Sequence, residues 1–154
     1  MSDIEAEVRQ NAGFLIWRLS TGWRAAMDRV LEPLGLTQAQ YAVLAPLYGM
    51  SRSGARPSQR ELADLTGLDA VYISKLVRAL ERAGFVERSA STVDTRAVEL
   101  TLTDQGIATV REAMPLVARL REELSKPLGG INGERTRQLT EMLVELLDAP
   151  ELRR

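Results

Sequence analysis

The run from Pro57 to Leu102 constrains this chain more than any other, because two short helical patterns are followed there by two strand patterns around a polar loop. It reads PSQRELADLTGLDAVYISKLVRALERAGFVERSASTVDTRAVELTL. Ser58 is placed to cap the first helix, with Glu61 three residues on to close a capping box. Gly67 supplies the left-handed residue that ends it, and Asp69 caps the next helix. Gly84 ends that second helix, and β-prone segments at Phe85 to Arg88 and Val98 to Leu102 flank a polar loop, Ser89 to Ala97.

On the second helix of the pair, Ile73, Leu76, Val77 and Leu80 share one face at the 3.6-residue period, which requires burial. Val71, Ser74, Lys75, Arg78 and Arg82 share the opposite face, with Tyr72 on its flank. A methyl group, a hydroxyl and cations on an apolar-backed helix fit a major groove; the competing reading is a solvated basic face. The hairpin favours the groove. Its loop carries Asp94 and Arg96, and an arginine-tipped ribbon suits the negative potential of a narrow minor groove. Asp94 would orient that arginine, unless the two are simply turn residues holding each other.

Enzyme classes fare poorly. The chain has no cysteine and no histidine, so disulfides, thiol nucleophiles, Zn–cysteine sites and the usual general base are excluded. No Gly-rich phosphate loop and no recognisable acidic pair occurs, so no catalytic residue, metal or cofactor is expected. The net charge of −1 argues against indiscriminate coating of DNA. Charges also balance between Arg56 and Leu102, so a DNA surface must come from spatial sorting of charge. No apolar run approaches the roughly 20 residues that span a bilayer, and Met1 to Gln10 lacks a signal-peptide core. A cytoplasmic protein with no membrane partner is the expectation.

The flanks are helical. From Ile4 to Leu31 apolar residues recur at Ile4, Val8, Ala12, Leu15, Leu19, Trp23, Ala26 and Val30, which predicts one continuous helix with a single buried stripe. Phe14 and Trp17 lie off that stripe, so a partner subunit covers them or they line a cavity. Pro33 and Gly35 break the chain, and Thr37 with Gln40 opens a helix whose apolar side is Tyr41, Leu44, Leu47 and Tyr48, with a bend expected at Pro46. After the hairpin, Thr103 caps a helix to about Lys126 that contains Pro115. Pro127 to Gly130 break it, and Asn132 is the expected cap of a last helix striped by Leu139, Met142, Leu143, Leu146 and Leu147 and closed by Pro150. Three amphipathic helices outside one small domain make a thin core, so pairing with a second copy is expected to bury them; the competing reading is that they pack on the winged domain of one chain.

In the phrases LTQAQYAVL, RELADLTGLDAVYISKLVRALERAGFVER, DTR and LTLTDQG, and in its order of elements, the chain resembles the MarR family of bacterial winged helix-turn-helix regulators over roughly Leu34 to Gly106. The resemblance implies a homodimeric transcription factor on pseudo-palindromic double-stranded DNA, often released by a small aromatic or phenolic effector. It places Val71, Tyr72, Ser74 and Lys75 at base-contact positions and Arg96 in the minor groove. Ser58, Gln59, Arg60, Arg78, Arg88 and Asp94 complete the expected DNA surface. Two departures stand out: Asp69 replaces a commoner Ser or Thr, and Val71 and Tyr72 replace small polar residues, so no operator consensus is carried over.

The expected fold is mainly α with a small β-wing. A winged helix-turn-helix domain over residues 35–104 is flanked by dimerisation helices at 1–34 and 105–154. The expected function is that of a DNA-binding transcriptional regulator, most plainly a repressor. An effector site is expected where the first, second and fifth helices converge, with Trp17, Arg24, Tyr41, Tyr48 and Met114 as candidate lining; core and dimer packing is the competing role for these side chains. The alternative function is a winged-helix module that binds another protein, or senses a ligand without releasing an operator.

Overall fold

The structure is a computed structural model that describes residues 8, 10–91 and 97–152. It forms two compact units, Met1–Pro115 and Leu116–Arg154.

In the first unit the leading helix is shorter than its periodicity predicts. Helix α1 is Ala12–Leu31; Asn11 ahead of it is extended (ψ 118°), and its side chain accepts a hydrogen bond from the Phe14 N–H. Val8 and Gln10 are helical on the other side of this break, while Ile4 lies outside the described residues. An asparagine whose side chain competes for backbone N–H groups starts a helix better than it continues one. The expected buried stripe is corrected as well. Val8, Ala12, Leu15 and Leu19 are exposed, Trp23, Ala26 and Val30 are half-buried, and only Met27 and Leu31 of α1 are buried. Within this unit, only the C-terminal turns of α1 have a core to pack on.

A 3-10 turn at Glu32–Leu34 and Gly35 (φ 68°) lead into α2, Gln38–Ser51. Thr37 and Gln40 form the expected capping box. A third interaction was not visible in the sequence pattern: the Asp28 carboxylate of α1 accepts from the Gln38 N–H at 2.6 Å, a negative charge at a helix N-terminus. Helix α2 continues through Pro46 and buries Val43, Leu44 and Leu47. Helices α3 (Gln59–Thr66) and α4 (Ala70–Arg82) both pack on it, and on each other.

The hairpin follows, with β1 at Val86–Ala90 and β2 at Val98–Leu102 paired antiparallel from Val86↔Leu102 to Ala90↔Val98. The first strand thus starts one residue later and ends two later than Phe85 to Arg88. Phe85 is instead used to close α4, its N–H reaching the Leu80 carbonyl at 2.9 Å behind Gly84 (φ 78°). The outer edge of β2 is also occupied: Ser58 bridges Glu99, and the Leu100 N–H donates to the Pro57 carbonyl. Thr103 caps helix α5 (Asp104–Ser125) through the Gly106 N–H, while its hydroxyl donates to the Gly84 carbonyl at 2.6 Å. Leu31, Leu36, Leu44, Leu62, Ile73, Leu80, Val86, Leu100 and Val110 fill the core of this unit.

One cap carries a pH signature. Hydrogen bonds from the Ser58 N–H and then its hydroxyl hold Glu61 below its ordinary pKa of 4.5. A depressed carboxylate stabilises the fold above that ordinary value, and the contribution is lost as pH falls through the lower folded one. Thermal melting of Glu61→Gln followed from neutral pH downward should therefore lose this part of the acid sensitivity. Parallel wild-type and variant profiles would show that ionisation of Glu61 contributes nothing to the acid sensitivity.

In the second unit the end of α5 passes through a 3-10 turn, Lys126–Leu128, and two left-handed glycines, Gly129 and Gly130, into α6, Glu134–Leu147. The cap is Gly133 and not Asn132, and it makes no side-chain cap hydrogen bond. A Cβ on Gly133 would sit 2.6 Å from the Leu128 carbonyl oxygen, so the turn is too tight for a larger residue at the cap position. Thr136 steadies it by donating to the Gly130 carbonyl. The apolar stripe of α6 is present, but Leu139 and Leu143 are half-buried and Met142, Leu146 and Leu147 are exposed. Among the described residues, no helix is long and apolar enough to cross a membrane.

Candidate nucleic-acid interface

The α3–α4 pair is joined by Gly67 (φ 68°) and by the Thr66 hydroxyl, which donates back to the Leu62 carbonyl. Three residues on, the Asp69 side chain accepts from the Tyr72 N–H at 2.8 Å and starts α4. Ile73, Leu76, Val77 and Leu80 are buried, as the periodicity requires. That anchors the helix by its back and leaves the opposite face outward. Val71 is 67% exposed and Tyr72 41%, Lys75, Arg78 and Arg82 are exposed, and Ser74 is half-buried. Among the described residues, none offers Lys75, Arg78 or Arg82 a carboxylate partner. Cations left unpaired on one face are available to a polyanion.

The remaining candidates divide. Arg60 is exposed on α3. The Ser58 hydroxyl is consumed by the cap, accepting from the Glu61 N–H and donating to its carboxylate. Gln59 beside it is half-buried, with its side-chain oxygen buried and, among the described residues, without a hydrogen-bond partner. Arg88 is held by Glu81 at 2.8 Å, an ion pair that ties β1 to α4 and cancels part of the arginine's charge. At the base of the wing the Ser91 N–H donates to the Ala97 carbonyl. Asp94 and Arg96 lie outside the described residues.

Two of the five candidate effector residues line the same cleft. Trp17 and Arg24 line a cleft of about 320 Å³ together with Ser20, Thr21, Trp23 and Gln38. Phe14 stacks on Trp17 with ring centroids 5.8 Å apart. Tyr48 is engaged elsewhere: the Arg111 Nε donates to its hydroxyl at 3.1 Å, and the guanidinium lies 6.0 Å from its ring centroid. That hydrogen bond holds the Tyr48 hydroxyl below its ordinary pKa. Tyr41 is half-buried on α2 and Met114 exposed on α5. The spacing Trp17, Ser20, Thr21, Arg24 on one helix face was the available signal for the cleft; Gln38 and Arg111 carried none. Among the described residues, no group of three or more acidic, histidine or cysteine side chains is placed to hold a metal.

Comparison with known proteins agrees with this geometry. The model of the MarR family matches residues 34–97. The uncharacterized HTH-type transcriptional regulator YdcH of Bacillus subtilis (strain 168) is 33% identical over 108 residues, covering 70% of this chain and 74% of that protein. Among solved structures, a MarR variant from E. coli complexed with operator DNA superposes with a TM-score of 0.80 at 28% identity, over 95% of this chain and 99% of that one. The PcaV transcriptional regulator from Streptomyces coelicolor, in complex with its natural ligand, gives 0.80 at 25% identity over 92% and 95%. The helix pair, the two-stranded wing, the sequence relative and these structures together show that the chain belongs to the MarR family of winged helix-turn-helix transcriptional regulators.

Proposed function

We propose that this protein is a cytoplasmic repressor that binds a pseudo-palindromic operator as a homodimer and releases it when a small aromatic or phenolic compound binds. The outward face of α4 carries the reading: an anchored helix presents Val71, Tyr72, Ser74, Lys75 and Arg78 where a major groove would meet them. The solved MarR complex with operator DNA supports it, since nearly the whole chain superposes on that protein. Dimerisation is supported by the exposed apolar residues of α1 and α6, which a second copy would cover. In such a dimer the two reading helices lie about 34 Å apart, in successive major grooves. The effector reading rests on the cleft beside Trp17 and Arg24, where indole surface and a guanidinium suit an aromatic anion.

Fluorescence anisotropy on the DNA upstream of the protein's own gene tests the proposal. A scrambled duplex of equal length is titrated beside it at two salt concentrations. The expected outcome is a preference of about a thousandfold or more for the native duplex, with log affinity falling linearly against log salt. Equal, weak binding to both duplexes would count against an operator there and favour a protein partner for the winged domain.

A further inference from the structure

We infer that Val71 makes this protein a reader of thymine methyl groups, so that each operator half-site carries a thymine whose 5-methyl group packs on that side chain. The inference rests on the DNA-binding reading above and names the chemistry of its target. The first turn of α4 puts an apolar side chain outward at Val71. Asp69, the one acceptor at its start, is turned back onto the Tyr72 N–H and is occupied. Next come Ala70, exposed and without a polar side-chain atom, and Val71, 67% exposed. Beyond Val71 the hydrogen-bonding groups of the outward face are the Tyr72 hydroxyl on its flank, 41% exposed, and then Ser74 and Lys75 a full turn later. The N-terminal turn of a reading helix is the part that reaches base edges.

An isopropyl group there cannot tell a donor from an acceptor. It distinguishes bases only by apolar contact, and in the major groove the one apolar group presented by the four bases is the 5-methyl of thymine. A valine at 67% exposure also has no packing role in its own domain that would account for it: the buried positions of α4 are Ile73, Leu76, Val77 and Leu80. Opposite cytosine, adenine or guanine, Val71 would strip water from polar edges and return nothing. Opposite thymine it removes two apolar surfaces from water.

The test removes only the methyl group. Duplexes are selected from a random pool with the full chain, and each thymine of the selected sequence is then replaced singly by deoxyuridine, which leaves base pairing intact. For wild type, one thymine per half-site should respond, with affinity falling about fourfold for one methyl and about fifteenfold for both, the effect of one and two buried carbon units. Val71→Ala and Val71→Ser should bind thymine and uracil duplexes alike, while Val71→Thr, which keeps a methyl branch, should retain the discrimination. Thermal melting checks that these exposed substitutions leave the fold intact. A selected sequence with no uracil-sensitive position, or one whose sensitivity persists unchanged in Val71→Ala, overturns the inference and leaves the regulator reading standing. A pool that returns no preferred sequence overturns the DNA-binding reading, and this inference with it.

Discussion

Lys75→Ala is expected to weaken operator binding by roughly thirtyfold to twenty-thousandfold while leaving the melting temperature unchanged. The range follows from the geometry. Lys75 is exposed on the outward face of α4, one residue beyond Ser74 and opposite the buried Ile73 and Val77, and among the described residues no carboxylate neutralises it. A lost base contact costs about 1–3 kcal/mol, and in a symmetric dimer the substitution is made twice. Because the side chain supports nothing in the core, the fold should not notice. Two companions sharpen the result. Arg88→Ala should cost less, since Glu81 already holds that guanidinium at 2.8 Å and shares its charge. The salt dependence tells which contact Lys75 makes: a phosphate contact lowers the slope of log affinity against log salt by about one per lysine, whereas a base-edge contact removes sequence preference with less change in slope. Unchanged affinity would remove Lys75 from the interface and with it the main support for the α4 reading.

What the sequence made legible is what is local. The boxes at Thr37–Gln40 and Ser58–Glu61, the Asp69 cap, the left-handed glycines at 35, 67 and 84, and the buried face of α4 all depend on residues within a turn or two of one another, and all are present. Local chemistry also explains two misreadings. The apolar period runs across Asn11 although its side chain starts a helix there, and the cap lies at Gly133, one residue beyond the expected Asn132, in a turn that Leu128 approaches closely. Contacts between distant residues left no trace in the pattern: Asp28 on the Gln38 N–H, Glu99 beside Ser58, and Arg111 on Tyr48 across 63 positions. The candidate site divides the same way. The outward face of α4 is a property of one helix and could be listed from its period alone. The expected effector lining is drawn from several elements: Trp17 and Arg24 both lie on α1 and line one cleft, while the Tyr48 hydroxyl meets Arg111 of α5, a contact between elements that no local pattern shows.

Gly106→Ala should destabilise the winged unit by about 3 kcal/mol, because the junction of hairpin and α5 leaves no room for a side chain. A Cβ at this position would lie 2.0 Å from the Phe85 carbonyl oxygen and 2.9 Å from its carbon, both backbone atoms that no rotamer change can move. The crowded carbonyl is not idle, since it accepts the Thr103 N–H at 3.1 Å. The Thr103 hydroxyl in turn binds the Gly84 carbonyl and the Gly106 N–H. Moving either strand of this junction by the ångström or more that a methyl group needs strains three hydrogen bonds together, each worth about 1 kcal/mol. For a chain of this size the loss corresponds to a fall in melting temperature of about 6–12 °C. Gly49→Ala is the control: that glycine lies within α2 with nothing inside 4 Å of a built Cβ, so alanine should stabilise by about 0.5–1 kcal/mol through helix propensity alone. Opposite signs for the two substitutions would locate the cost in the close approach at Phe85. A Gly106→Ala protein that melts with wild type would mean the junction opens freely, and that the wing is not held to the reading helix through Thr103.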